Sequence, residues 1–257
     1  MPHLSLAYHE LDRKWKATCR ILLGQEVGEL ASFEKYLSRY VEPIFEKQSF
    51  LSGKPCFVSL PNFCNGAKFI SNDEQEKFKQ AIAGNPLSIN DIKDVDSIVS
   101  ALGESAAYSG NIVTGNSKFV EQSNGIIDST YVFHSSDYFG ASYVAYSSNG
   151  RLDEYVFGCN WTGESKFVIT CHDTFKLTRS FETLRCFTSA DCYYSANLED
   201  CLGCLFSFNQ RSRRNLIGNL ELPKDEYKSL KQKLVSEIAE ELKSKKSLVS
   251  IVELICD

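Results

Sequence analysis

The sequence lacks most of the features that announce a function. No apolar run approaches the roughly 18 residues that a membrane-spanning helix needs, so no membrane association is expected. Met1 to Tyr8 has no basic stretch leading into an apolar one, so no secretory signal is expected. No phosphate-binding glycine loop occurs. Methionine appears once and tryptophan twice. A net charge of -5 gives no overall attraction to nucleic acid, and the one dense basic cluster, Arg211, Arg213 and Arg214, reads as a solvated corner. A nucleic-acid partner is therefore not expected.

Cysteine is plentiful instead, with ten residues in a chain of 257. A chain of that length buries a core without covalent staples. Without a secretory signal, the expected setting is the reducing cytoplasm, where cysteines are thiols or metal ligands. No cofactor is expected.

Residues 1–107 read as a mainly helical N-terminal region. Leu30, Phe33, Leu37 and Tyr40 share one helical face within Gly28 to Val41. Ser71-Asn72-Asp73-Glu74 is a capping box opening a second helix. A third helix is expected from Asn90, its N-cap, to Leu102, with Ile92, Val95, Val99 and Leu102 in step. Leu51 to Phe69 reads as a loop with one short strand. At the other end, residues 220–257 read as an amphipathic helix beginning near Pro223, with Tyr227, Leu230, Leu234, Ile238 and Leu242 as its stripe, and an apolar tail after it.

Residues 108–219 differ in composition, and only three lysines fall between Ser117 and Asn219. Tyr131-Val132-Phe133, Tyr143-Val144-Ala145, Tyr155-Val156-Phe157 and Phe167-Val168-Ile169 recur every twelve residues, and Phe181, Tyr193 and Leu205 continue the series after one interval of fourteen. Fixed-period self-similarity identifies a repeat architecture. The expected fold class is mainly β: a β-solenoid, or β-helix, with a helical N-terminal region and a C-terminal capping helix. Period-two alternation puts the leading aromatics inside, with Ser135, Ser147, Cys159 and Cys171 four places on. Twelve residues are too few to enclose stacked aromatics, which leads to about four coils of two units each. The fourteen-residue interval reads as a local insertion.

Asp191-Cys192-Tyr193-Tyr194-Ser195, Cys201-Leu202-Gly203-Cys204, Asn209-Gln210-Arg211-Ser212 and the Leu220 to Tyr227 segment resemble an uncharacterised family of archaeal and candidate-phylum bacterial proteins with Cys/Tyr-rich β-helical repeats. The resemblance covers roughly the C-terminal half and implies the solenoid fold but no activity. Members carry N-terminal zinc-ribbon cysteine pairs; here Cys56 and Cys64 are too far apart to form one.

Several constellations are candidates for chemistry. Cys186, Cys192, Cys201 and Cys204 include a knuckle-like spacing, but the repeat itself explains the interval from Cys192 to Cys204, and no metal is assigned. Cys171-His172-Asp173 has the residue types of a nucleophilic triad, but neighbours on a strand face opposite ways. Glu182 stands where the repeat otherwise has valine, and a broken rule can mark a site. The catalytic candidates are thus Glu182, Asp173 and His172.

Alternation also turns Val132, Val144, Val156 and Val168 outward, and an uncovered apolar stripe marks an interaction surface. The leading reading is a non-catalytic scaffold or protein-interaction module, its protein partner or second copy held by an apolar solenoid face or the C-terminal tail. The alternative is a carbohydrate-acting lyase or hydrolase with carboxylates on a solenoid face.

Overall fold

The computed structural model describes residues 5–59, 66–83 and 93–256. Its centre is a β-solenoid of about nine turns with a helix before and a helix after it, the class that the repeat predicts. The coil differs from expectation. Val144 pairs in parallel register with Val132 on one side and Val156 on the other, so twelve residues close one full coil and nine coils replace four.

The tight closure comes from the backbone. Within one coil Tyr131, His134, Asp137 and Gly140 all have positive φ, and the same holds every third residue along the solenoid. Each left-handed residue turns the chain and resets the side-chain alternation, so that the residue after it points inward. The bore of that coil is therefore Val132, Ser135, Tyr138 and Ala141, all fully buried.

This period of three inverts the inside-outside assignment. Val132, Val144, Val156 and Val168 lie in the bore, while Phe119, Tyr131, Tyr143, Tyr155 and Phe167 stack outside with centroids 4.6–5.1 Å apart. The valines therefore cannot serve as a contact surface. The two-unit coil rests on the need to enclose stacked aromatics; the stack lies outside the coil, so that need does not arise.

No insertion occurs at Phe181. Ile169, Phe181 and Tyr193 pair in unbroken register, and the apparent interval arises because the aromatic moves from one outer column to another. Cys186 consequently lies opposite Leu198 rather than in line with Cys159 and Cys171.

Small polar rungs have a bonding role. Ser135 Oγ donates to the Phe133 carbonyl and accepts from the Ser147 amide of the next coil. Ser147 repeats this with Ala145 and Cys159, and Cys159 Sγ accepts from the Cys171 amide. Corner amides without a strand partner are satisfied in this way, which is required of buried backbone groups.

The helix Leu6–Leu23 runs along the side of the stack rather than capping its end. Ser5 caps it by accepting from the Tyr8 amide, and Tyr8, Leu11, Trp15, Cys19 and Leu22 form its buried face. Tyr8 packs on Phe133 and the Leu22 carbonyl accepts from Tyr193 Oη. Those ends are five coils apart, about 24 Å at ~4.8 Å per coil, which fits the ~21 Å between Tyr8 and Leu22 in a helix.

Leu30–Phe33 is a 3-10 turn leading into Glu34–Leu37, shorter than expected, and it seats Leu30, Phe33 and Leu37 in the same layer. The capping box at Ser71 is present, with the Ser71 amide donating to Glu74. Asn90 and Ile92, like Cys64, lie outside the described residues; the third helix is described from Val95 to Ser105 with Asp94 as its cap. The expected loop after Leu51 contains the strand Pro55–Val58, paired with Phe45–Gln48. This region adjoins the first coil, where Asn124 Nδ2 donates to Ser59.

The C-terminal helix Lys224–Lys245 starts directly after Pro223. The tail then returns to the solenoid, burying Leu248 and Ile251.

Candidate functional site

The structure separates the sequence candidates. Cys171 faces the bore, His172 lies under the cover formed by Tyr40, and Asp173 faces solvent, paired to Arg185 at 3.5 Å. Three consecutive residues thus face three directions, so no triad forms. His172 is buried with neither ring nitrogen hydrogen-bonded, and burial pushes its pKa down to about 4.

Glu182 is not in the valine column but at a left-handed corner, and it is fully buried. Its carboxylate accepts from Tyr36 Oη at 2.5 Å, from Ser250 Oγ at 2.9 Å and from the Ile251 amide at 2.9 Å. Burial pushes its pKa up, opposed by those donors. A carboxylate so engaged has no access to substrate; it joins three chain segments.

The cysteines are rungs. Cys186, Cys192, Cys201 and Cys204 are buried free thiols in the bore, and the spacing of Cys201 and Cys204 is the three-residue inward period rather than a knuckle. Cys192 and Cys204 are register partners. A hydrogen bond from Cys192 holds the Cys204 thiol low. Among the described residues no group of three or more His, Cys, Asp or Glu side chains is placed to hold a metal. Three other acidic residues are engaged between coils: Glu154 with Lys166, Asp191 with Arg179 and Glu199 with Arg211.

Asp153 occupies the rung that holds Ala141 in the coil before it and Ser165 in the coil after it. It accepts from the Ser165 amide at 2.8 Å and from Thr162 Oγ1 at 2.6 Å, and burial raises its pKa from the usual 3.8 to about 6. A raised acid contributes stability that is complete below pH 3.8 and lost as pH climbs through 6. The penalty at neutral pH is ~3 kcal/mol. His172, depressed from 6.5 to about 4, acts with the opposite sign: its stability is complete above 6.5 and is lost as pH falls, also by ~3 kcal/mol. Asp153→Asn is expected to be more stable than the parent by ~1–3 kcal/mol at pH 7, with the difference shrinking towards pH 4. Urea unfolding of both proteins across that range measures it, and a pH-independent difference would refute the assignment.

One flank of the solenoid is left uncovered. Ile127, Phe139, Leu152, Trp161 and Phe187 are all exposed along it, Trp161 by 61%. At its middle is a groove of about 480 Å³ lined by Gly150, Gly163, Trp161, Arg151, Asp137 and Asp173, among others. Gly163 leaves an outward position without a side chain, and a Cβ there would lie 2.9 Å from Phe175 Cδ2; Gly150 instead faces the bore, where the Tyr138 ring takes the space a Cβ would need, 2.1 Å from Cε1. Arg151 lies over the Phe175 ring at 5.6 Å.

Burial and the Glu42 charge push Asp137 up. It stands in the same column as Asp173, three coils away, so the two are about 14 Å apart at ~4.8 Å per coil. A glycosidase pair needs carboxylates about 5 to 9.5 Å apart. The groove is not among the sites that the sequence candidates mark; its signal in the sequence is the missing side chain at Gly163 two residues after Trp161.

No family model matches the chain, and no curated protein does. Among solved structures, an X-ray structure from Bacillus cereus assigned as an acetyltransferase aligns at 15% identity over 48% of this chain and 87% of that one, with a TM-score of 0.13. A likeness at that level carries no argument.

Proposed function

We propose that the chain is a non-catalytic interaction module, in which the solenoid is a rigid platform, the helices cover one side and the uncovered flank is the contact surface. The observation that supports this best is the contrast between the two sides. The covering segments seal Glu182 and His172 and the bore encloses the candidate cysteines, while the opposite flank leaves large apolar side chains in water around a groove. Contiguous exposed apolar surface of this kind marks a binding site. The contact surface of this reading is built from Phe139, Trp161 and Phe187 rather than from the valines. Among the described residues no helix is long and apolar enough to cross a membrane, and two of the three basic corner residues are ion-paired, Arg211 to Glu199 and Arg213 to Glu221.

The test compares the immobilised chain with its Phe139→Asp/Phe187→Asp variant in native cell extract. Both positions are exposed, so the fold is expected to persist, which circular dichroism checks. Components held by the parent should fall at least about tenfold on the variant, as expected when interface anchors are lost. Identical capture by the two proteins overturns the reading.

A further inference from the structure

The aromatics on the outside of this solenoid differ in what their ring faces touch. In the stripe from Phe119 to Phe167 the rings stack on one another at 12–21° between planes, so their faces are already occupied. Trp161 is different. The coil above places Asn149 at the equivalent position and the coil below places Asp173, as the flanking pairs show, and among the described residues no ring or cation is stacked on the indole. Trp161 lines the groove together with Gly163.

Resting on the reading of this flank as a contact surface, we infer that the groove binds a neutral oligosaccharide, with one sugar ring on Trp161. A pyranose presents C–H bonds on one face and hydroxyls around its edge. The C–H face suits an aromatic plane, and the hydroxyls suit side chains that offer both donors and acceptors, which Asn149, Arg151 and Asp173 supply around the indole. Asp137 and Asp173 against Arg151 leave the groove without excess positive charge, which disfavours an anionic polymer in a chain of net charge -5.

The repeat favours a glycan over a peptide. Coils recur at ~4.8 Å, close to the length of one pyranose residue in an extended chain. An extended peptide returns to the same face only every ~6.8 Å, out of step with the rungs. Without carboxylates at hydrolytic separation, the bound glycan is held and not cleaved.

Intrinsic fluorescence tests this directly, because the chain has two tryptophans and Trp15 is sealed between Phe33 and Phe157. Soluble hexasaccharides of β-linked glucose, N-acetylglucosamine, mannose and xylose are titrated into the full chain, with galacturonate as the anionic comparison. At least one neutral series should give a saturable blue shift and protect the exposed tryptophan from acrylamide quenching. Binding, followed by calorimetry, should weaken about tenfold or more in Trp161→Ala and in Asn149→Ala, as removal of a stacking face or an orienting amide predicts. Glycan binding that survives both substitutions overturns the placement in this groove. Binding of galacturonate alone overturns the neutral class. If no glycan binds while the Phe139→Asp/Phe187→Asp variant still loses captured components, the sugar inference falls and the flank reading stands. If no glycan binds and capture is also unchanged, both fall.

Discussion

Gly150→Val is expected to unfold the middle of the solenoid, and adding Tyr138→Val to that variant is expected to restore it. Tyr138 is the one aromatic in the bore, and its ring fits because the next coil has no side chain beneath it. A Cβ at Gly150 would lie 2.1 Å from Tyr138 Cε1, 2.5 Å from Cζ and 2.7 Å from Asp153 Oδ2. The Tyr138 hydroxyl reaches Thr162 Oγ1 at 3.3 Å, two coils on, so the ring is held at both ends. Strand pairing fixes the coils at ~4.8 Å, and they cannot part to make room. Overpacking in a core costs about 1–3 kcal/mol where neighbours can shift; here they cannot, and a loss of ~4 kcal/mol or more is expected. Tyr138→Val alone opens a cavity and costs about 3 kcal/mol. The double variant places valine above valine, as Val132, Val144 and Val156 already stand in another inward column. Denaturant unfolding of all four proteins should give a coupling of ~3 kcal/mol or more. The account fails if Gly150→Val unfolds within ~1 kcal/mol of the parent, or if the double variant is no better than Gly150→Val.

Glu182→Ala is expected to release the C-terminal tail. Three donors converge on that carboxylate from the Tyr36 side chain, the Ser250 side chain and the Ile251 backbone, and the site is dry. Deleting the acceptor leaves a buried phenol and a buried amide without partners, for a loss of ~3–5 kcal/mol. Glu182→Gln keeps one acceptor, lets the Ser250 hydroxyl turn to accept, and removes a buried charge, so its loss should be about 1–2 kcal/mol. The tail holds a second contact, since Arg39 bonds Glu253, Ser247 and the Leu248 carbonyl. In Glu182→Ala, amides from Leu248 onward should exchange faster by at least about tenfold, and limited proteolysis should cut near Lys245 and Lys246. Unchanged exchange in the tail would show that Glu182 does not anchor it.

Both variants act on features that side-chain patterns conceal to different degrees. Ser135, Ser147, Cys159 and Cys171 were legible as one inward ladder, because each rung must match the rung above it and small polar groups recur where corner amides need acceptors. The capping box at Ser71 and the helix after Pro223 were legible because their chemistry is local. Glu182 was visible as an exception, but its role was not, since Tyr36, Ser250 and Ile251 meet it only through folding. The groove was hidden for a related reason: Gly163 matters for the side chain it lacks, next to a tryptophan whose neighbours lie a coil away.

The sequence by itself determined that a twelve-residue unit stacks on its own copies, because in-register pairing brings like against like and leaves its mark in composition. Only the tertiary structure decided how the unit closes and which way it faces. Closure depends on the sign of φ at every third residue, and tyrosine, phenylalanine, aspartate and asparagine all take the left-handed form here, so no single residue type announces the turn. Once those corners are set, valine goes in, tyrosine goes out, and the surface left for a partner is the flank around Trp161.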